Sequence, residues 1–347
     1  MGALQAILSR LSAGHDLTEA EAEEATRTIM EGRATPAQIG AFLAALRCKG
    51  ETVAEILGCA RAMRAFATPV RSRHPLLADT CGTGGDGAGT FNISTTAALV
   101  VAAAGVPVAK HGNRAASSRS GSADVLEALG VRVDLEPEAV ERCLDELGIA
   151  FLFAQRHHPA MRHAAGPRRE LGFRTVFNLL GPLSNPAGAH VQVVGVPAPA
   201  LVLPIAQVLR QLGSRRALVV HGGDGLDELS ISGPSRVADT AGTLGGDIRV
   251  GELAPEDAGL PRAPREAVRG GSAAENAEIT LAVLRGEEGA RRDVVVLNSA
   301  AALVAAGAVD GFPAGAAMAA AAIDDGRALQ KLRRLAEMTQ DLARAAG

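Results

Sequence analysis

The sequence predicts an α/β protein with a small N-terminal helical domain over residues 1–69 and a larger α/β domain over residues 70–347 built on a mostly parallel central sheet. Three observations predict it. The first 69 residues carry three consecutive helix starts and no strand signal. The remainder alternates short β-branched or aliphatic runs with Ala-rich helical stretches, as strands joined by crossover helices do. The 347 residues also exceed one core, because a single core stops growing near about 250–300 residues.

The elements follow in order. "MGALQAILSRLSAG" has amphipathic helical spacing but neither the basic start nor the continuous apolar core of a secretory signal. Thr18 with Glu21, Thr35 with Pro36 and Gln38, and Thr52 with Glu55 each form a capping-box pattern, while Gly32, Gly50 and Thr68-Pro69 supply the stops. Beyond them, "PLLAD", "VPVAK", "RALVVH" and "DVVVLN" read as buried strands. The segment "HHPAMRHAAGPRRELGFRTVFNLLGPLSNPAG" breaks the alternation with helical periodicity followed by Gly-Pro turns. Its helices, from about 159–185, are expected to join the helical domain and leave a cleft between the two parts. Gly242–Gly251 reads as a loop or hairpin, and the Ala/Gly tract over 300–322 as close helix packing.

Composition excludes several classes. The formal net charge of −3 argues against broad attraction to nucleic acid or anionic membrane, and the absence of Trp and Tyr removes the usual stacking platforms for bases. No apolar run approaches the roughly 20 residues of a membrane span. Four cysteines without a CxxC pair make no disulfide framework in so long a chain, which points to a reducing cytoplasm.

The chemistry concentrates in a few stretches. In "DTCGTGGDGAGTFNIST", a strand leads through glycines to a helix capped by Asn92 or Ser94. Glycine lets successive N–H groups converge on an anion, and the helix start adds its own free N–H groups. The spacing is neither a Walker A loop nor GxGxxG. A plain strand-to-helix turn is the alternative, although two aspartates beside a phosphate cradle suit a bound cation or a sugar hydroxyl. "KHGNRAASSRSGSADVLEALG" offers Lys110, Arg114 and Arg119, several hydroxyls and a helix start near Ser122. These suit a polyphosphate beyond the carboxyl end of a strand, or simply a charged surface loop. "VVHGGDGLDELSISG" brings Asp224, Asp227 and Glu228 into one loop; adjacent carboxylates suit magnesium or mere solvation. His157, His158 and His163 lack single-face ligand spacing and read as structural or substrate-lining rather than zinc-binding.

Together these stretches, with "TPAQIGAFLAALRCKGET", "FNIST", "GLDELSISGPS", "ENAEITLAVLRG" and "VVLNSAAALVAAG", closely resemble the anthranilate phosphoribosyltransferase family nearly end to end. The resemblance implies a nucleoside phosphorylase/phosphoribosyltransferase-like fold. It also implies a homodimer through the helical domain and transfer of phosphoribosyl from phosphoribosyl pyrophosphate to the anthranilate amine, with Mg2+ as cofactor. It assigns Gly82, Thr83, Gly84, Gly85, Asp86, Thr90, Asn92, Ser94, Thr95, Lys110 and Ser122 to the phosphoribosyl donor. Gly82, His111, Asn113, His158, Arg168 and the Gly181-Pro182 turn fall to anthranilate. Ser94, Asp227 and Glu228 fall to the metal. No general base is assigned; His111 and His158 are the candidates. Ser272 and Gly223 depart from the family pattern and bear on loop conformation. The alternatives are a pyrimidine nucleoside phosphorylase-like enzyme, whose glycine-rich and lysine-containing loops differ, and a nucleic-acid-binding paralogue, which would need a basic groove.

Overall fold

A computed structural model describes residues 3–115, 119–241 and 247–346. Ser117 and Ser118 of the basic loop, and residues 242–246 of the glycine-rich stretch expected as a loop or hairpin, lie outside the described residues.

The chain opens with α1 (Ala3–Ser12), α2 (Glu19–Met30), α3 (Pro36–Lys49) and α4 (Val53–Ala65). Each of the last three starts at the expected capping box. Thr18, Thr35 and Thr52 accept the third backbone N–H of their helices at 3.3 Å, while Glu21, Gln38 and Glu55 accept the cap N–H at 2.8–2.9 Å. Glu55 does more than cap. Wholly buried, it also accepts the N–H of Leu17 and the ammonium of Lys49, each at 2.9 Å, tying the start of α2 to that of α4.

The remaining elements are β1 (Ala78–Gly82), α5 (Ile93–Ala103), β2 (Val108–Gly112), α6 (Ser122–Ala128), α7 (Pro137–Leu147), β3 (Ile149–Phe153), α8 (Ala154–His157), α9 (Arg162–Leu171) and α10 (Val176–Leu183). They continue through β4 (Val191–Gly195), α11 (Val202–Gln211), β5 (Arg216–Gly222), β6 (Ser235–Asp239), β7 (Arg249–Leu253), α12 (Ala273–Leu284), α13 (Ala290–Ala305), α14 (Phe312–Asp324) and α15 (Arg327–Ala346). Among the described residues the strands form one sheet in the order β3-β2-β1-β4-β5-β6-β7, parallel from β3 to β5 and antiparallel at β6 and β7.

Alternate residues of the sheet serve two cores. Val193, Leu218 and Val220 pack with α5, α7, α13, α14 and α15, whereas Val194, Ala217 and Val219 pack with α11 and the N-terminal helices. α9 and α10 join that second core through Ala164, Val176, Phe177 and Leu180, against α2, α3 and α4.

Three local expectations are corrected. "DVVVLN" lies in helix α13, where Val294 to Ala305 are all buried; a helix covered on every side has no polar face to betray its period. Of "PLLAD" only Ala78 and Asp79 are strand, and β1 runs on into Gly82. Gly181 and Pro182 form the last turn of α10 rather than a separate turn. Ser272, a departure from the family pattern, caps α12 through a capping box with Glu275.

Candidate active site

β1 is the strand at which the order reverses, with β2 and β3 on one side and β4 and β5 on the other. In open α/β sheets the crevice beyond the carboxyl ends at such a switch point receives the ligand. Here Gly82 ends β1 directly opposite Gly195 ending β4. Neither can carry a side chain, because a Cβ on either would run into Asp227 of the loop seated across both strand ends.

From Gly82 the chain turns through Gly84, Gly85, Gly87 and Gly89, all at φ between 66° and 77°, a region that favours glycine. Gly84 N–H donates to Asp227 Oδ2 at 2.7 Å, and Asp86 accepts from Ala88 N–H at 3.1 Å and Asp227 N–H at 3.4 Å. Beyond the loop Asn92 occupies the cap position of α5 but makes no capping bond, a correction to the expected role. Its side chain instead accepts from Asn276 Nδ2 at 2.9 Å and Ser120 Oγ at 3.3 Å.

All the residues that the resemblance assigns border one cleft of about 450 Å³, namely Gly82 to Asp86, Thr90, Asn92, Ser94, Thr95, Lys110, His111, Asn113, Ser122, His158, Arg168, Gly181, Pro182, Asp227 and Glu228; Arg114 borders it too, whereas Arg119, also proposed for a polyphosphate, does not. Asp79, the other aspartate of the opening stretch, is not among them. It is fully buried beneath the cleft, accepting from Asn185 Nδ2 at 2.8 Å and His111 N–H at 3.3 Å. Asp224 likewise turns away, accepting from Ser230 and Ser232 hydroxyls at 2.7 and 2.8 Å.

The charges facing the cleft divide by wall. On the sheet side Lys110 is buried and donates to Thr80 O. Glu228 accepts Ser94 N–H at 3.2 Å. Burial pushes the Asp227 and Glu228 carboxyls up from the usual range, Asp227 further through Glu228 and Asp86, while Lys110 opposes the rise at Glu228. A divalent cation would relieve that cost. Among the described residues no three His, Cys, Asp or Glu side chains converge to hold an ion unaided. A cation here would therefore complete its shell from phosphate and water, as magnesium usually does.

Facing α10, His111 at the end of β2 and His158 lie with ring centroids 5.1 Å apart. Burial lowers both pKa values, that of His158 to about 4 with His157 contributing, so both rings are neutral at pH 7. His111 Nδ1 donates to Gly181 O at 3.1 Å, which leaves a bare lone pair on Nε2. Arg168 stacks over the Phe177 ring at 5.6 Å, and no carboxylate pairs with it among the described residues. An unpaired, half-buried guanidinium there suits an anionic ligand. His157 lies behind this wall, its Nδ1 donating to Thr68 O at 3.2 Å; His163 packs against Gly32.

The cleft also holds residues that sequence reasoning leaves unassigned. Arg174 and Phe177 line it, and Asn276 orients Asn92 from outside. The "GFRTVFN" stretch, one arginine among apolar and amide residues, is the available signal for Arg174.

Residues 5–67 match the glycosyl transferase family helical bundle domain, and residues 74–329 the glycosyl transferase family a/b domain. An anthranilate phosphoribosyltransferase of Moorella thermoacetica is 58% identical over 98% of this chain and 99% of its own. One of Symbiobacterium thermophilum is 57% identical over 98% of each. Among solved structures, the anthranilate phosphoribosyltransferase of Thermus thermophilus superposes with a TM-score of 0.91 at 47% identity, covering 96% of this chain and 99% of that one. The Saccharomyces cerevisiae protein, solved in complex with PRPP and Mg, gives 0.89 at 26% identity over 97% and 98%.

Proposed function

The chain belongs to the anthranilate phosphoribosyltransferase family, within the glycosyl transferases of helical bundle and α/β domain, and we infer from the charges facing its cleft how the work is divided. It transfers the phosphoribosyl group of phosphoribosyl pyrophosphate to the amino group of anthranilate, giving N-(5-phosphoribosyl)anthranilate and pyrophosphate in tryptophan biosynthesis. Neither the nucleoside phosphorylase nor the nucleic-acid reading keeps support beside relatives of 57–58% identity along almost the whole chain.

The observation that carries the division of labour is the opposition of walls. The glycine-rich loop, Asn92, Ser94, Thr95, Lys110 and Ser122 border the cleft from the sheet and the helices after it, Arg168, Gly181 and Pro182 from α9 and α10, and His111, at the end of β2, turns its ring to Gly181 O beside His158. In this reading the loop N–H groups beyond Gly84, whose own N–H is taken by Asp227, hold the phosphoribosyl donor with Lys110 and stabilise the departing pyrophosphate. Arg168 pairs with the anthranilate carboxylate and aims the amine at C1 of the ribose, from which it displaces pyrophosphate with inversion. Asp227 and Glu228, with Ser94 beside them, would hold magnesium, which supplies charge neutralisation on the diphosphate. The aromatic amine is already neutral at pH 7 and needs no base to attack. Its proton leaves late, and His111 Nε2 and the His158 ring, both unpartnered and neutral, are the candidate acceptors beside water. The proposed organisation also includes a helical domain of residues 1–69 joined by the helices of 159–185, and an α/β domain of residues 70–347. A homodimer through the helical domain and a cytoplasmic setting, suited to four free cysteines, complete it.

Anthranilate fluorescence followed in the presence of protein, phosphoribosyl pyrophosphate and magnesium tests the reading. Magnesium-dependent loss of signal with one pyrophosphate released per anthranilate consumed is expected. A folded sample that leaves the fluorescence unchanged at all substrate and magnesium levels would overturn it.

A further inference from the structure

We propose that Arg174, reaching from the segment between α9 and α10 in the helical wall, is a positioning residue that sets the glycine-rich loop in the orientation that binds the diphosphate. The inference rests on reading that loop as the donor cradle. Arg174 donates from Nη1 to Gly84 O and from Nη2 to Thr83 O, the latter at 3.3 Å. A trans peptide unit points its C=O and N–H in opposite directions. Two adjacent carbonyls held on the Arg174 side therefore turn the N–H groups of Gly84 and Gly85 to the other side. Gly84 N–H shows that direction, where it is taken by Asp227 Oδ2 at 2.7 Å, and Gly85 N–H is the one left to meet the diphosphate. The loop would otherwise be free to rotate, because glycine at φ of 66° and 77° has few steric restraints.

Gly85 supplies an independent sign of the same contact. A Cβ on Gly85 would occupy the place of the Arg174 guanidinium, so the glycine makes room for that side chain as well as for the turn. Arg174 is half-buried and belongs, through its neighbours Leu171, Val176 and Phe177, to the core shared by α3 and α4. The loop belongs to the sheet, so this one side chain links the two walls of the cleft. A planar guanidinium can fork to two carbonyl oxygens; an ammonium is a point charge and cannot reproduce the geometry.

The test is steady-state kinetics of the full-length chain with Arg174→Met, Arg174→Lys, Gly85→Ala and the Gly85→Ala/Arg174→Met double variant. Arg174→Met is expected to raise the KM for phosphoribosyl pyrophosphate roughly ten- to hundredfold while the anthranilate KM moves less than about twofold. Lys is expected to restore at most part of that loss. Gly85→Ala, by displacing the guanidinium, is expected to give a similar defect, with the double variant no more than about threefold worse than the poorer single. An unchanged donor KM in Arg174→Met, an equal rise in both KM values, full rescue by Lys, or multiplication of the two single defects would each overturn the inference. Should Arg174→Met fail to fold, the Lys and Gly85→Ala variants decide it by the same criteria. The wild-type chain is the separate control: if it never saturates with phosphoribosyl pyrophosphate, the donor-cradle reading itself fails.

Discussion

Arg168 and Arg174 lie six residues apart and face the same cleft, yet their surroundings give them different work. Arg168 rests on Phe177 with no carboxylate partner among the described residues, whereas Arg174 is committed to two loop carbonyls. Losing a charged hydrogen-bond partner costs about 1.5–3 kcal/mol. Arg168→Ala should therefore lower kcat/KM for anthranilate roughly ten- to hundredfold and leave the donor KM unchanged, the reverse of the Arg174 pattern; an unchanged anthranilate kcat/KM would remove Arg168 from the site. His158 carries a pH prediction. Its pKa drops from the ordinary 6.5 to about 4 on folding, so the unfolded chain binds the extra proton between those values and stability is lost as pH falls from about 6.5 to about 4. The raised Asp227 and Glu228 pull the other way, so the effect must be read as a difference. Urea unfolding of wild type and His158→Asn at pH 7 and pH 4 should show the wild type losing up to about 3 kcal/mol more than the variant; parallel losses would show that burial does not hold His158 neutral. At this scale the sequence is legible where family motifs stand intact, as in "KHGN" and "GLDEL". Arg174 and Asn276 are not, because each acts on a partner far away in the chain: Gly84 is 90 residues from Arg174, and Asn92 is 184 from Asn276.

Elements repeat the contrast between local and long-range information. The three capping boxes are readable because cap and N3 lie three residues apart, and the chain needs nothing else to satisfy those N–H groups. α13 reads wrongly as a strand because its burial depends on β4, β5, α5 and α14 packing around it. Close approach between helices is equally silent in sequence, and Gly58 shows what it demands. On α4 it faces α2, where an added Cβ would meet the backbone nitrogen of Glu23 at 2.8 Å, crowd Ala22 Cβ at 3.0 Å and run into Glu19 O. Alanine would gain about 1 kcal/mol of helix propensity there. Overpacking costs about 1–3 kcal/mol, and the atoms in the way are largely backbone, which cannot swing aside, so the upper part of that range applies and the clash wins. Gly58→Ala should thus destabilise by about 1–2 kcal/mol in chemical unfolding, whereas a stabilised variant would mean that α2 and α4 are free to separate.

At the scale of the whole molecule, the two hydrophobic cores share the central sheet. Successive residues of β4 and β5 point to opposite faces, so Val193 belongs to one core and Val194 to the other, as do Leu218 and Val219. The second core runs without a break from α1 through α4, α9 and α10 to α11 and the sheet. Arg64 reinforces that continuity, donating from α4 to Leu183 O at the end of α10 and Leu212 O just past α11, at 2.6 and 3.1 Å. Melting the N-terminal helices would strip α4 from α10 and α11, exposing to water the outer side of the helices that cover Val194, Ala217 and Val219. Although the chain is long enough for two separate unfolding steps, calorimetry should therefore show one transition. Because the cleft lies between the walls that these cores support, a ligand filling it stabilises both. Phosphoribosyl pyrophosphate with magnesium at about 100 times its Kd adds about 2.7 kcal/mol. That should move the single peak upward by about 4 °C. The magnesium dependence of the shift should vanish in the Asp227→Asn/Glu228→Gln variant. Two resolved peaks, with only the upper one responding to the ligand, would mean that the helical part folds apart from the sheet and that the cleft draws its stability from one wall alone.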